Sequence, residues 1–119
     1  MSQEEFEPIH FGRRFYVQSY QVSHRKLVMR SAPEPRTDPV DVIFDDVLGM
    51  KVRSSYRELH ITNSGDPVEV DDFLDLPQRY SLGYTNLTVS DGKTTGFVVC
   101  RRLRVRPAGL DDERENASS

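Results

Sequence analysis

The chain is expected to fold as a single all-β domain, an antiparallel sandwich or partly open barrel of about seven or eight strands with at most one short helical turn. Three observations carry this expectation. Short stretches such as Phe15–Val22 and Val40–Val52 alternate apolar and polar residues with the period of a strand. Clusters of proline, glycine, asparagine and aspartate separate those stretches. An Asp91-Gly92 pair sits between two alternating runs, which is a strong local signal for a hairpin.

In chain order, residues 1–12 read as a flexible acidic lead-in, with Glu7-Pro8 and Gly12 discouraging regular structure. Arg13 to Val22 reads as a strand rich in aromatic and β-branched residues. Ser23-His24-Arg25 reads as a turn, and Lys26–Ser31 as a second strand with Leu27 and Met29 on one face. Three prolines make Ala32–Pro39 a loop. Between Val40 and Val52 the even positions are apolar except Asp46, which favours two strands, about Val40–Phe44 and Val47–Arg53, with a bend at Asp45-Asp46. The same stretch also fits helical spacing, with Asp38 as N-cap, Pro39 in the first turn and Gly49 past the end. Arg57–Thr62 reads as another strand, Asn63 to Pro67 as a turn, and Asp71–Leu76 as one helical turn ended by Pro77.

The closing hairpin spans Tyr80–Arg106. A two-residue type I′ turn at Asp91-Gly92 sets Ser90 opposite Lys93, Leu87 opposite Gly96 and Tyr84 opposite Val99. Tyr80, Leu82, Tyr84, Phe97, Val99, Leu103 and Val105 then share one face. Leu87, Val89, Val98 and Cys100 share the other with Arg102, Arg104 and Arg106. The order of segments resembles small uncharacterised bacterial β-proteins, in which a strand like the Leu27–Arg30 "LVMR" precedes "DVIFDDV" at residues 41–47 and a Gly-aromatic-Val-Val strand closes the fold. That resemblance covers residues 15–105, implies an all-β fold, and brings no active residues with it.

At 119 residues the chain is long enough to bury a core without metal or disulfide support. A hydrophobic fraction of 36% and a mean hydropathy of −0.60 fit a small domain with polar ends. The net charge of −3 is unevenly distributed. Residues 1–7 hold three acids, and residues 108–119 hold four acids against Arg114. Taken from totals of 16 bases and 19 acids, these leave 15 bases and 12 acids, about +3, in residues 8–107. The domain is therefore placed at residues 13–107, with residues 108–119 as a disordered acidic tail. A lone cysteine, an acidic start and the lack of any run near roughly 18 apolar residues point to a cytoplasmic protein away from membranes.

No residue pattern announces catalysis. His10, His24 and His60 have neither H-x-H nor helical spacing, and Cys100 has no C-x-x-C partner, so neither a metal nor a cofactor is expected. Cys100 as a nucleophile needs a neighbouring base, and its strand setting suits a packing residue instead. Asp66, Glu69, Asp71, Asp72 and Asp75 lack the ligand order of a calcium loop. Asp45 and Asp46 are adjacent on a strand and point apart, unlike an acid–base pair. Phosphate-loop, dinucleotide-binding and nucleophile-elbow motifs are missing. The one local excess is Arg101, Arg102, Arg104 and Arg106, a candidate anion- or partner-binding face whose bland counterpart is an edge strand guarded by charge. The expected function is that of a non-enzymatic protein-interaction module. The alternatives are anion or nucleic-acid binding through that face, which overall acidity disfavours, and a small barrel for an apolar ligand.

Overall fold

A computed structural model describes residues 8–63, 67–74 and 77–109. The acidic ends, residues 64–66, where a turn is expected from the sequence, and residues 75–76 lie outside them. The strands are β1 (Ile9–Phe11), β2 (Phe15–Gln21), β3 (Lys26–Ser31), β4 (Val40–Asp45), β5 (Gly49–Lys51), β6 (Ser55–Tyr56), β7 (Leu59–Thr62), β8 (Thr85–Ser90), β9 (Thr95–Cys100) and β10 (Arg102–Pro107). A helix α1 (Pro67–Leu74) and a 3₁₀ segment (Pro77–Leu82) lie between β7 and β8. Among the described residues the strands form two five-stranded antiparallel sheets, ordered β1-β7-β8-β9-β5 and β10-β4-β3-β2-β6. The fold is all-β, and the sheets do not close into a barrel.

Alternation explains how the two sheets share one core. Phe15, Leu27, Met29, Val42 and Phe44 of one sheet meet Leu59, Ile61, Leu87, Val89 and Val98 of the other, all buried. A second cluster lies on the far side of the first sheet, where Val70 of α1 covers Tyr84, Phe97 and Val99. Strand β9 is therefore buried on both faces, which accounts for its unbroken Phe97-Val98-Val99-Cys100 run. The outward side of the other sheet is also drier than its sequence suggests. Val28 and Ile43 face each other there and are fully buried. Their neighbours Lys26, Arg30 and Arg104 are largely buried too, because long stems can lie over apolar surface while the charge finds a partner.

Several expectations are corrected. Residues 1–12 are not all lead-in, because Ile9–Phe11 pairs with β7. Ten strands lie among the described residues rather than seven or eight; β1 and β6 are additions of three and two residues, and β10 separates from the strand expected to run on from β9. Val40–Asp45 and Gly49–Lys51 are strands and the helical alternative is not adopted. The bend falls at Asp46, which has φ of 58°. The helical segment is eight residues long instead of a single turn and begins at Pro67. Tyr80 and Leu82 belong to the 3₁₀ segment and not to a strand.

The hairpin register is shifted by two residues. Ser90 faces Thr95, Leu87 faces Val98 and Asn86 faces Val99, so Asp91–Thr94 form a four-residue loop. The Asp91 side chain is the reason. Its Oδ1 accepts the backbone N–H of Thr94 at 2.9 Å and that of Lys93 at 3.0 Å. These two N–H groups hold its carboxyl well down, at about 2, by stabilising the charged form. Gly92 carries a positive φ but Asp91 does not, unlike a type I′ turn. A shift of two leaves the residues of β8 and β9 on their expected faces.

A larger departure follows Cys100. The chain leaves the first sheet at Arg101, and β10 joins β4 in the second sheet. Residues 40–51 make the matching crossing, since β4 pairs with β10 while β5 pairs with β9. The two segments thus form one ribbon folded over a corner of the sandwich, with pairs Asp45↔Arg102 and Gly49↔Val99 on either side of the fold. Arg101 N–H donates to Asp45 O at 3.1 Å and Leu48 N–H to Val99 O at 2.7 Å, so the backbone remains paired through the bend.

Candidate functional site

The four arginines singled out by the sequence separate into different environments. Arg102, Arg104 and Arg106 do share the outward face of β10, as alternation requires. Two aspartates on the neighbouring β4 answer them. Arg104 grips Asp45 in a bidentate pair, Nε to Oδ2 at 2.6 Å and Nη2 to Oδ1 at 2.8 Å. Arg102 faces Asp45 in register but stays 4.0 Å away and is 66% exposed. Arg106 faces Asp41, whose carboxylate is taken by Arg30 from the other side, with contacts of 2.7 and 3.0 Å. The Arg106 Nε is buried without an acceptor among the described residues. Three guanidiniums therefore do not converge on one point. Arg104 is a structural ion pair, and Arg102, only loosely paired with Asp45, is the most exposed charge of the three.

Arg101 belongs to the corner where the ribbon folds. Its Nε lies 3.1 Å from Asp46 Oδ2, and its guanidinium sits 4.9 Å over the Tyr84 ring. Arg25 also pairs with Asp46, and the Tyr84 hydroxyl approaches that carboxylate at 3.4 Å. Asp46 raises the Arg25 pKa through simple charge attraction. The group ties the β2–β3 turn to both crossings and is accounted for by architecture. Asp45 and Asp46 serve separate ion pairs, as their opposed directions require.

The outward face of the first sheet holds an arrangement that spacing along the chain does not reveal. His10 of β1 faces His60 of β7 directly in register. Their rings stack at 4.0 Å with an interplanar angle of 23°. Glu58, in the bend before β7, brings Oε1 to 2.8 Å from His10 Nε2 and 3.1 Å from His60 Nε2. Ile9, Phe11, Leu59 and Ile61 alternate with these residues and anchor both strands in the core. Hydrogen bonds from the two imidazoles, His10 first, lower the Glu58 pKa. The side chains are 57%, 42% and 36% exposed for His10, Glu58 and His60. Two imidazoles and a carboxylate within 4.8 Å of one another form a donor set suited to a metal ion. The only sequence signal was the parity of His10 and His60 within their strands, which is uninformative until the pairing is known.

Cys100 lies in the main core. Burial pushes its thiol up to about 12, and the acids Asp45 and Asp46 add to the shift. Iodoacetamide at pH 8 is expected to leave the folded chain unmodified and to alkylate Cys100 once the chain is unfolded, as read by intact mass. Rapid labelling of the native protein would contradict this packing role. Asp71 and Asp72 are exposed on α1, and neither belongs to a metal-ligating group of three or more among the described residues. No helix among those residues is long and apolar enough to cross a membrane. In comparisons with protein-family models, curated proteins and solved structures, the chain matches none.

Proposed function

We propose that this protein is a non-enzymatic interaction module of the cytoplasm that captures an extended acidic segment of another protein along β10. The observation behind this proposal is the sheet order. Sheet β10-β4-β3-β2-β6 ends at a six-residue strand with no further strand beside it among the described residues. The other edges, β1, β5 and β6, are two or three residues long. A free edge of this length offers backbone donors and acceptors to an added strand. Val105 is 47% exposed on one side of β10 and Arg102 is presented on the other. A segment alternating apolar and acidic residues complements both. Because Asp45 occupies Arg104, the face supplies fewer free cations than a phosphate backbone needs, which favours a protein ligand over nucleic acid.

An alternating Glu-Val peptide titrated into ¹⁵N-labelled chain is expected to shift the amides of residues 102–107. The substitutions Arg102→Glu and Val105→Lys together should weaken binding by at least about tenfold, a loss of about 1.4 kcal/mol. Both side chains are exposed, so the fold should survive. Shifts confined to other strands would overturn the proposal. So would tighter binding of an oligonucleotide that fades as salt rises.

A further inference from the structure

We propose that His10, Glu58 and His60 form a three-ligand site for a late first-row divalent cation of the Zn²⁺ class. The fourth position is left to water or to a donor on a second molecule. The site is independent of the β10 edge, since it lies on the other sheet. Two imidazole nitrogens and one carboxylate oxygen match a borderline ion such as Zn²⁺, whereas Mg²⁺ and Ca²⁺ prefer sets made of oxygen. Zinc sites with three protein ligands and one open position use this same donor composition.

The geometry needs only small adjustments. Zinc–ligand bonds near 2.0–2.1 Å set tetrahedral donors about 3.3 Å apart. Here the carboxylate oxygen stands 2.8 and 3.1 Å from the two nitrogens, and all three donor atoms fall within 4.8 Å. Each ring must contain the ion in its plane, which two rings stacked at 23° do not yet allow. At least one ring must therefore turn about χ2, a broad torsion that costs little for an exposed side chain. Glu58 Oε1 accepts from both Nε2 atoms, so coordination through Nε2 requires each ring to carry its proton at Nδ1. The backbone contributes preorganisation. The β1–β7 register holds His10 opposite His60, and Glu58 is two residues from His60 along the same chain.

The full chain, freed of metal by chelator and dialysis, should be titrated with ZnCl₂ at neutral pH by calorimetry and by NMR of the imidazole protons. The expected result is one ion per chain, with shifts at His10 and His60 and none at His24, which lies in the exposed β2–β3 turn. His10→Ala and His60→Ala should each weaken binding at least about tenfold, His24→Ala should not, and Mg²⁺ should not compete. Co²⁺ should give the visible absorption of a tetrahedral ion. Absence of imidazole shifts in the native chain overturns the proposal. So does binding that persists when both His10 and His60 are replaced. Should a variant fail to fold, the native-chain shifts and the Co²⁺ spectrum decide alone.

Discussion

Replacing Gly96 with alanine is expected to destabilise the protein by about 3 kcal/mol, the upper part of the range for forced overpacking. Gly96 follows Thr95 in β9, beside the end of β5. A Cβ built there lies 1.9 Å from the carbonyl oxygen of Lys51 and 3.1 Å from its carbon. Neither atom belongs to a side chain that can turn away, so the backbone of β5 must move. That strand is only three residues long and is held to β9 through Gly49↔Val99, Met50↔Val98 and Lys51↔Phe97. Moving it also lifts Met50 and Val52 from the core they pack against. The φ of Gly96 is not positive, so close approach and not backbone strain makes glycine necessary. Thermal unfolding should show the midpoint falling by about 10 °C. Hydrogen exchange should show lost protection in β5 first. A midpoint within about 2 °C of the parent would mean that β5 does not lie against Gly96.

Local features of the fold were readable, and features that depend on distant pairing were not. Lys26–Ser31 was bounded from alternation because six residues give the pattern room to declare itself. Ile9–Phe11 and Ser55–Tyr56 are too short to show any period, and their strand character comes from the partners they meet. Asp91-Gly92 located a hairpin correctly, yet its length was decided by a side chain bonding back to two amides. The crossing at Arg101 did leave a trace. Core-facing residues occupy even positions at Val98 and Cys100 and an odd position at Leu103, so the phase of alternation slips where the strand changes sheet. The extra apolar residues Phe97 and Val99, which face α1, hide that slip. The arginine face was placed on the correct side of its strand, but the aspartates that occupy it sit about 60 positions earlier in the sequence. The His10–Glu58–His60 set depends on the same kind of distant register, 48 or more residues apart.

Removing Arg30 while keeping Asp41 is expected to cost about 3–5 kcal/mol, the range for stranding a buried charge. Arg30 faces Asp41 across β3 and β4 and meets both carboxylate oxygens. The Asp41 side chain is 2% exposed and that of Arg30 is 19% exposed, so water cannot replace the guanidinium. Asp41 Oδ2 also accepts the N–H of Gly109 at 3.0 Å, which fixes the chain where it leaves β10. In Arg30→Met the apolar stem remains over the sheet while the carboxylate loses its bidentate partner. Arg106, opposite Asp41 on β10, is too weakly placed to substitute, since its buried Nε reaches no acceptor among the described residues. Asp41→Asn in the same background should restore part of the loss, because a neutral amide is cheaper to bury than an unpaired carboxylate. A double-mutant cycle from urea unfolding of Arg30→Met, Asp41→Asn and the pair gives the coupling directly. Coupling below about 0.5 kcal/mol would place this contact with ordinary surface ion pairs, and the outward side of the second sheet would then be far wetter than its burial indicates.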